Sequence, residues 1–268
     1  MTDPAPDSAD PAPETPPTPA AEPRPPRHDR WAHRRAEPRP FAFLWTIFLL
    51  GGALLTVLRA GAVRGMEIDA ARSPARALLV VIGVGLMIVW PLIRLSQQSP
   101  ERPARAALQD LLVALCPVQA VLWPLTLIGR WGWEITLALS AYYSAWAFLA
   151  CALVALGTGA RRVSDRSWWM LGAVVIAIGA PALGLVAARV GSGIDPRYLL
   201  PSPVTAPFVV TASPGGRLPA VPPDLWVWAA AFAGAGLVGW TGAAIRDAHA
   251  LAGAAPGAGP GAPEADRA

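Results

Sequence analysis

The order of apolar and polar positions divides the chain into a polar head, six long apolar runs and a polar tail. The runs fall at 41–58, 77–95, 107–129, 135–157, 168–190 and 225–245. Each is apolar at almost every position, whereas a strand of a membrane barrel would alternate. About 20 helical residues cross a hydrocarbon core of about 30 Å. The third to sixth runs reach that length, and the first two lie within the accepted range. The pattern predicts an all-α, polytopic membrane protein of about six transmembrane helices, five at the least, with disordered N- and C-terminal tails.

The domain limits come from the same pattern. Residues 1–40 hold 12 of the 30 prolines, and residues 24–40 carry Arg24, Arg27, Arg30, Arg34, Arg35 and Arg39. Such a Pro/Arg-rich segment buries too little apolar surface to offset ordering, so it is expected to be a disordered cytoplasmic tail. The first apolar run begins too late for a cleaved signal and is expected to remain as an anchor. Residues 41–247 form the six-helix domain, in which 191–224 is a long Pro-rich loop with a β-prone piece at Phe208–Thr211. A loop of that length is either tolerated or a lid or ligand contact. Residues 248–268 are an Ala/Gly/Pro-rich tail, expected to be disordered.

Composition sharpens this picture. Charged residues make up 15% of the chain, against about 25% in an average soluble domain. So few charges cannot cover a water-facing surface, and lipid must cover part of it. Tryptophans gather near the run ends (Trp45, Trp90, Trp123, Trp131, Trp133, Trp168, Trp169, Trp226, Trp228, Trp240), where an indole can keep one edge wet. Ala, Gly, Pro and Arg are over-used and share GC-rich codons, which points to a bacterial source and an inner (plasma) membrane. With both termini cytoplasmic, fourteen arginines fall on the inner side and eight on the outer, the bias expected of a multi-pass protein. Arg59, Arg64, Arg72 and Arg76, all placed in the first outer loop, run against it.

The chemistry is read largely from what is missing. All 22 basic residues are Arg. Without lysine there is no Gly-Lys-Ser/Thr phosphate loop and no Schiff-base site. The histidines His28, His33 and His249 all fall in the tails, so no run carries a haem, zinc or Ser-His site. Cys116 and Cys151 lie inside apolar runs and form no metal or redox pattern. No catalytic residue, metal ligand or cofactor is expected, and the chain is not expected to be an enzyme.

What remains is a polar face. Asp110 stands about one turn inside the third run, either paired to Arg102 or Arg105 at a helix start or coupling an ion. Gln119 lies further along the same run. Thr136, Ser140 and Tyr143 have helical spacing in the fourth, with Tyr142 and Ser144 beside them. They suggest either a polar path between two helices or ordinary interhelical hydrogen bonding. Pro117 and Pro181 are expected to kink their helices. Small residues at Ala173, Ala177, Ala180 and Gly184, and at Ala231, Ala235, Gly239 and Ala243, suggest packing faces within the chain or between copies.

Two functions fit best: a permease-like membrane subunit of a transport or export system without its own ATPase, or a non-catalytic membrane scaffold or assembly protein; an intramembrane enzyme using Asp110 or Tyr142 and Tyr143 ranks last, since the runs lack His and Lys. The expected partners are the lipid bilayer, anionic lipid at Arg24–Arg39, a separate ATPase or other membrane subunit, and a second copy, but not nucleic acid.

Overall fold

The computed structural model describes residues 39–62, 68–160, 162–190, 195–212 and 219–254. They are almost wholly helical, with no strand among them. In chain order the elements are α1 (Arg39–Ala62), α2 (Ile68–Val84), a π turn (Gly85–Val89), α3 (Trp90–Ser96), α4 (Pro103–Leu122), α5 (Leu125–Gly129), α6 (Trp133–Thr158), α7 (Val163–Arg189), a 3₁₀ turn (Pro196–Leu199), α8 (Ala206–Val210) and α9 (Pro223–Ala254). Five helical spans are long and apolar enough to cross a bilayer, and the two arms of the bent α7 pass the same test only when taken together as one span. The chain is an all-α polytopic membrane protein. Of the tails expected at 1–40 and 248–268, residues 1–38, Arg24 to Arg35 among them, and 255–268 lie outside the described residues.

The helix limits move outward from the apolar runs because polar residues extend each span at its ends. The second span begins at Arg72 and ends at Ser96, so Arg72 and Arg76 belong to a helix and not to the first loop. The last helix continues to Ala254, through seven residues expected to start the disordered tail. Pro103 opens α4 at a position where a missing N–H costs nothing. Pro181 sits at a bend of 44° between Ser164–Gly179 and Pro181–Ala187, as its missing amide dictates. Pro117 lies inside α4, which remains one helix across it.

The helix α6 is the axis of the bundle, touching α3, α4, α5, α7, α9 and the π turn. Its span is 67% buried within the chain, whereas the spans of α1 and α9 are each 17% buried. Phe43, Leu44, Leu54, Leu55 and Leu58 on α1 are exposed. Such a surface is stable only against hydrocarbon or another apolar face.

The face that α9 turns to α6 keeps half of the stripe expected from small-residue spacing, Gly239 and Ala243. Ala231 and Ala235 are exposed. The contact runs through Leu225, Ala229, Phe232, Gly236, Gly239 and Ala243. The Phe232 ring lies tilted against that of Trp146, ring centroids 4.1 Å apart. One turn on, α9 approaches so closely that a Cβ at Gly236 would lie 3.0 Å from both the Leu149 nitrogen and the Phe148 carbonyl carbon. On α7 the small-residue reading holds better, with Ala173 and Ala177 fully buried.

Several tryptophans also depart from the interfacial belt. Trp123, Trp133, Trp168 and Trp226 are exposed near span ends, but Trp45, Trp90 and Trp131 are buried. The ring of Trp45 lies over the π turn, where a Cβ at Gly85 would come within 2.5 Å of it. Its indole N–H donates to the Ala114 carbonyl at 2.9 Å. Trp45 thereby joins α1 to both the second span and α4.

The close approach at Gly236 generates a prediction. Gly236→Leu should overpack the α6–α9 contact and lower stability by about 1–3 kcal/mol. Gly234→Leu, where a Cβ meets nothing within 4 Å, should leave it unchanged. Unfolding of the detergent-solubilised variants, tracked by tryptophan fluorescence, checks both.

Candidate functional site

At one end of the bundle lie the α3–α4 connection, the end of α6, the start of α7 and the end of α9. Asp110, on α4, is fully buried there. Its Oδ2 accepts from the Arg94 Nε of α3 and forms an ion pair with it. The expected partners Arg102 and Arg105 are exposed instead. Helical geometry explains the correction. Arg105 lies five residues before Asp110, more than a full turn away, and so falls on another face. Arg94 reaches inward from the neighbouring span, and its Nη1 also donates to the Gln97 side chain at 2.7 Å.

The second carboxylate oxygen, Oδ1, is buried and has no hydrogen-bond partner among the described residues. Asp110 and Arg94 line a small cleft with Gln98, Pro103, Val154 and Thr158. Its interior has room for on the order of one water molecule. Three spans meet around it: α3 brings the cation, α4 the acid and α6 the Thr158 hydroxyl, which donates to Val154 O at 2.7 Å.

The same end is fastened by side chains that complete helix termini. Asp247 of α9 accepts from the Ala104 N–H at the start of α4 at 2.8 Å. Its neighbour Arg246 donates to the Leu156 and Ala155 carbonyls near the end of α6 at 3.2 and 3.0 Å. An acid thus meets a helix N-terminus and a base a helix C-terminus, matching the sign of each helix dipole. Arg166 of α7 donates to Gln97 O at 3.2 Å and to the Ser99 hydroxyl.

The other predicted site residues do not join Asp110. Gln119 of α4 and Ser140 and Ser144 of α6 form their own bridge. The Ser140 hydroxyl donates to Gln119 Oε1 at 2.5 Å, and Gln119 Nε2 donates to Ser144 Oγ at 3.2 Å. Thr136 is buried and accepts from the Trp131 indole at 3.0 Å. That contact closes the turn between α5 and α6, where Arg130 takes a left-handed conformation (φ 49°). Tyr143 faces the second span: its hydroxyl lies 2.8 Å from the Leu79 carbonyl and 3.2 Å from that of Pro203. The five residues therefore occupy four places, and no continuous polar path joins them. Cys116 is exposed and Cys151 buried. Among the described residues no cluster of His, Cys, Asp and Glu could hold a metal ion.

Tyr143 leads to the opposite end, where the long loop is docked. The piece read as β-prone is helical: α8 covers Ala206–Val210. A strand needs a partner strand, and the described residues hold none. Tyr142 donates to Leu200 O at 2.5 Å, and the Ser202 hydroxyl donates to Ala177 O at 3.1 Å. Arg76 grips Thr211 twice, through Nε to the hydroxyl and Nη2 to the carbonyl, both at 2.8 Å. A Cβ at Gly83 would lie 2.7 Å from Pro203 O, so only glycine admits the loop there. Arg72, also buried, donates to Gly129 O at 2.9 Å and to Arg130 O at 3.4 Å. Residues 199–211 form a plug seated in the bundle, while Arg197 and Tyr198 before them are exposed.

Sequence reasoning missed Arg94, Arg72, Arg76, Arg246 and Asp247 as structural partners. The i, i+4 pair Arg72 and Arg76 carried a signal, since two charges one turn apart at the start of an apolar run each demand a polar target. For Arg94 there was none, because its partner lies on another span. Compared with known proteins, the chain matches no family model, no curated protein and no solved structure.

The tyrosine bonds can be tested together. Tyr142→Phe and Tyr143→Phe each remove hydrogen bonding inside the membrane domain, worth about 0.6 kcal/mol on average and at most about 1.7. The double variant should speed amide hydrogen exchange across 199–211 while leaving α9 unchanged, read by mass spectrometry.

Proposed function

We propose that the chain is the permease-like membrane subunit of a transport or export system that draws its energy from elsewhere, with a separate ATPase as the first candidate. The observation that carries this reading is the buried Asp110, whose free oxygen belongs to a cleft between three spans. Ionisable groups inside a bilayer are costly, and where they persist they mark ion or substrate pathways. The cleft admits a water and not a solute. A transported molecule would then pass along a surface shared with another subunit, and the thinly buried faces of α1 and α9 supply one. The absence of lysine supports the separate motor, since a phosphate-binding loop requires it.

The reading includes a bacterial inner membrane with both termini cytoplasmic. Supporting it, that topology puts fourteen of the 22 arginines on the cytoplasmic side. Arginine favours the cytoplasmic side of short loops. A scaffold or assembly role is the second reading. It is favoured by the Gln119–Ser140–Ser144 bridge, which spends its polarity on holding helices together.

Affinity purification of the tagged chain in gentle detergent, with mass spectrometry of stoichiometric partners, tests the choice. The expected result is a co-purifying nucleotide-binding subunit whose ATP hydrolysis rises in the complex. A clean self-assembly with no such subunit would overturn the transport reading in favour of the scaffold. Reporter fusions at both ends should behave as cytoplasmic; an external signal at residue 268 would remove the even span count.

A further inference from the structure

Asp110 is the only buried acid among the described residues, and its two oxygens have different surroundings. Oδ2 accepts from Arg94. Oδ1 is buried, unpartnered and part of a residue that lines the cleft. A buried acceptor left without a donor is rare in a folded protein and calls for a missing partner.

We propose that this cleft is a proton-binding site, with Asp110 Oδ1 as the atom that takes the proton. Water reaching the cleft delivers the proton as hydronium. One O–H bond forms on Oδ1, hydronium becomes water, and the carboxylate becomes a neutral acid that releases Arg94. This extends the transport reading above by naming its coupling ion, and it rests on that reading for its role in transport.

Two features favour a proton over a metal cation. A cation binds several oxygens at once, whereas the cleft offers one carboxylate oxygen beside the neutral Gln98 and Thr158. A metal ion would also sit against the Arg94 guanidinium, a fixed like charge at close range. A proton needs a single lone pair and adds no volume.

The two partners also differ in how each fares once the pair separates. The Asp110 side chain is 1% exposed, and that of Arg94 is 11% exposed. Arg94 already has a second acceptor in Gln97 and lies near the end of its span. The guanidinium can therefore remain solvated once freed, while the buried acid is tolerated in its neutral form.

The charged and titratable groups around the pair leave this assignment intact. From α6 the Cys151 thiol is buried and free. From α9, Arg246 and Asp247 are held on the ends of α6 and α4. From α7, Arg166 is held by Gln97 and Ser99. On α4 itself Arg105 is exposed. Arg94 alone bonds the acid among the described residues. Protonation would therefore untie α3 from α4 at this point.

Infrared difference spectroscopy of the purified full chain in detergent, stepped from alkaline to acid, tests the proposal. A reversible carbonyl band of a protonated carboxyl, shifted in heavy water, is expected in the wild type and absent from Asp110→Asn. The difference between the two should amount to one proton per chain. Arg94→Gln should show the band already at neutral pH, since no cation then holds the buried carboxylate ionised. Replacing choline with sodium should not move the step; a sodium-dependent step would overturn the proton in favour of a metal cation. If the wild type and Asp110→Asn give the same spectra, the pair is static and the proposal fails. Should Asp110→Asn not fold, absence of the band from Arg94→Gln has the same force. The measurement uses the isolated chain. A missing band therefore leaves a co-purified motor subunit standing, and a missing motor leaves the band standing.

Discussion

Inside a bilayer no water is available to satisfy a backbone carbonyl, and every helix ends with several that its own amides cannot reach. That constraint organises this molecule. At four helix termini among the described residues, a side chain from another element completes the end. Arg72 of α2 closes the end of α5, Arg76 the end of α8, Arg246 of α9 the end of α6, and Asp247 the start of α4. Arginine suits the task because its planar fork carries several donors in fixed geometry and keeps its charge in any environment. The all-arginine composition thus has a structural use, whatever its genomic origin.

These crosslinks fasten the bundle at both ends, while its middle is held by proximity. Glycines let backbones meet where α9 crosses α6 and where the plug reaches the second span. Dispersion, not hydrophobic exclusion, rewards such approach when the alternative environment is lipid. The division explains why α6 is the axis. It is the span whose small residues, Ala147, Ala150, Ala152 and Ala155, are buried among its neighbours.

The class of fold was legible from the runs of apolar residues alone, since continuous apolarity over a bilayer's thickness admits one architecture. The Pro181 bend and the buried Ala173 and Ala177 were legible for a similar reason: each depends on chemistry local to one helix. Contacts between spans were not. Asp110 was rightly singled out as an acid in a costly place, yet its partner sits 16 residues upstream across a turn. Gln119, Ser140 and Tyr143 carried helical spacing, but spacing reports a shared face and not which neighbour that face meets. Phe208 to Thr211 misled for the opposite reason: β-branched composition suggests a strand only where a sheet exists to receive it.

The π turn at Gly85–Val89 has a further consequence. Its Trp90 N–H reaches back to Gly85 O, which places one more residue in that turn than an α-helix holds. Each residue of an α-helix advances the azimuth by about 100°. The turn therefore acts as a phase shifter between the two ends of a single span. Upstream, Arg72 and Arg76 address the α5 terminus and the plug; downstream, Arg94 addresses Asp110. An uninterrupted helix of the same length would aim one set correctly and point the other roughly a quarter turn away. The span reads as a shaft with two keyed ends, and the widened turn is the coupling that sets their relative angle.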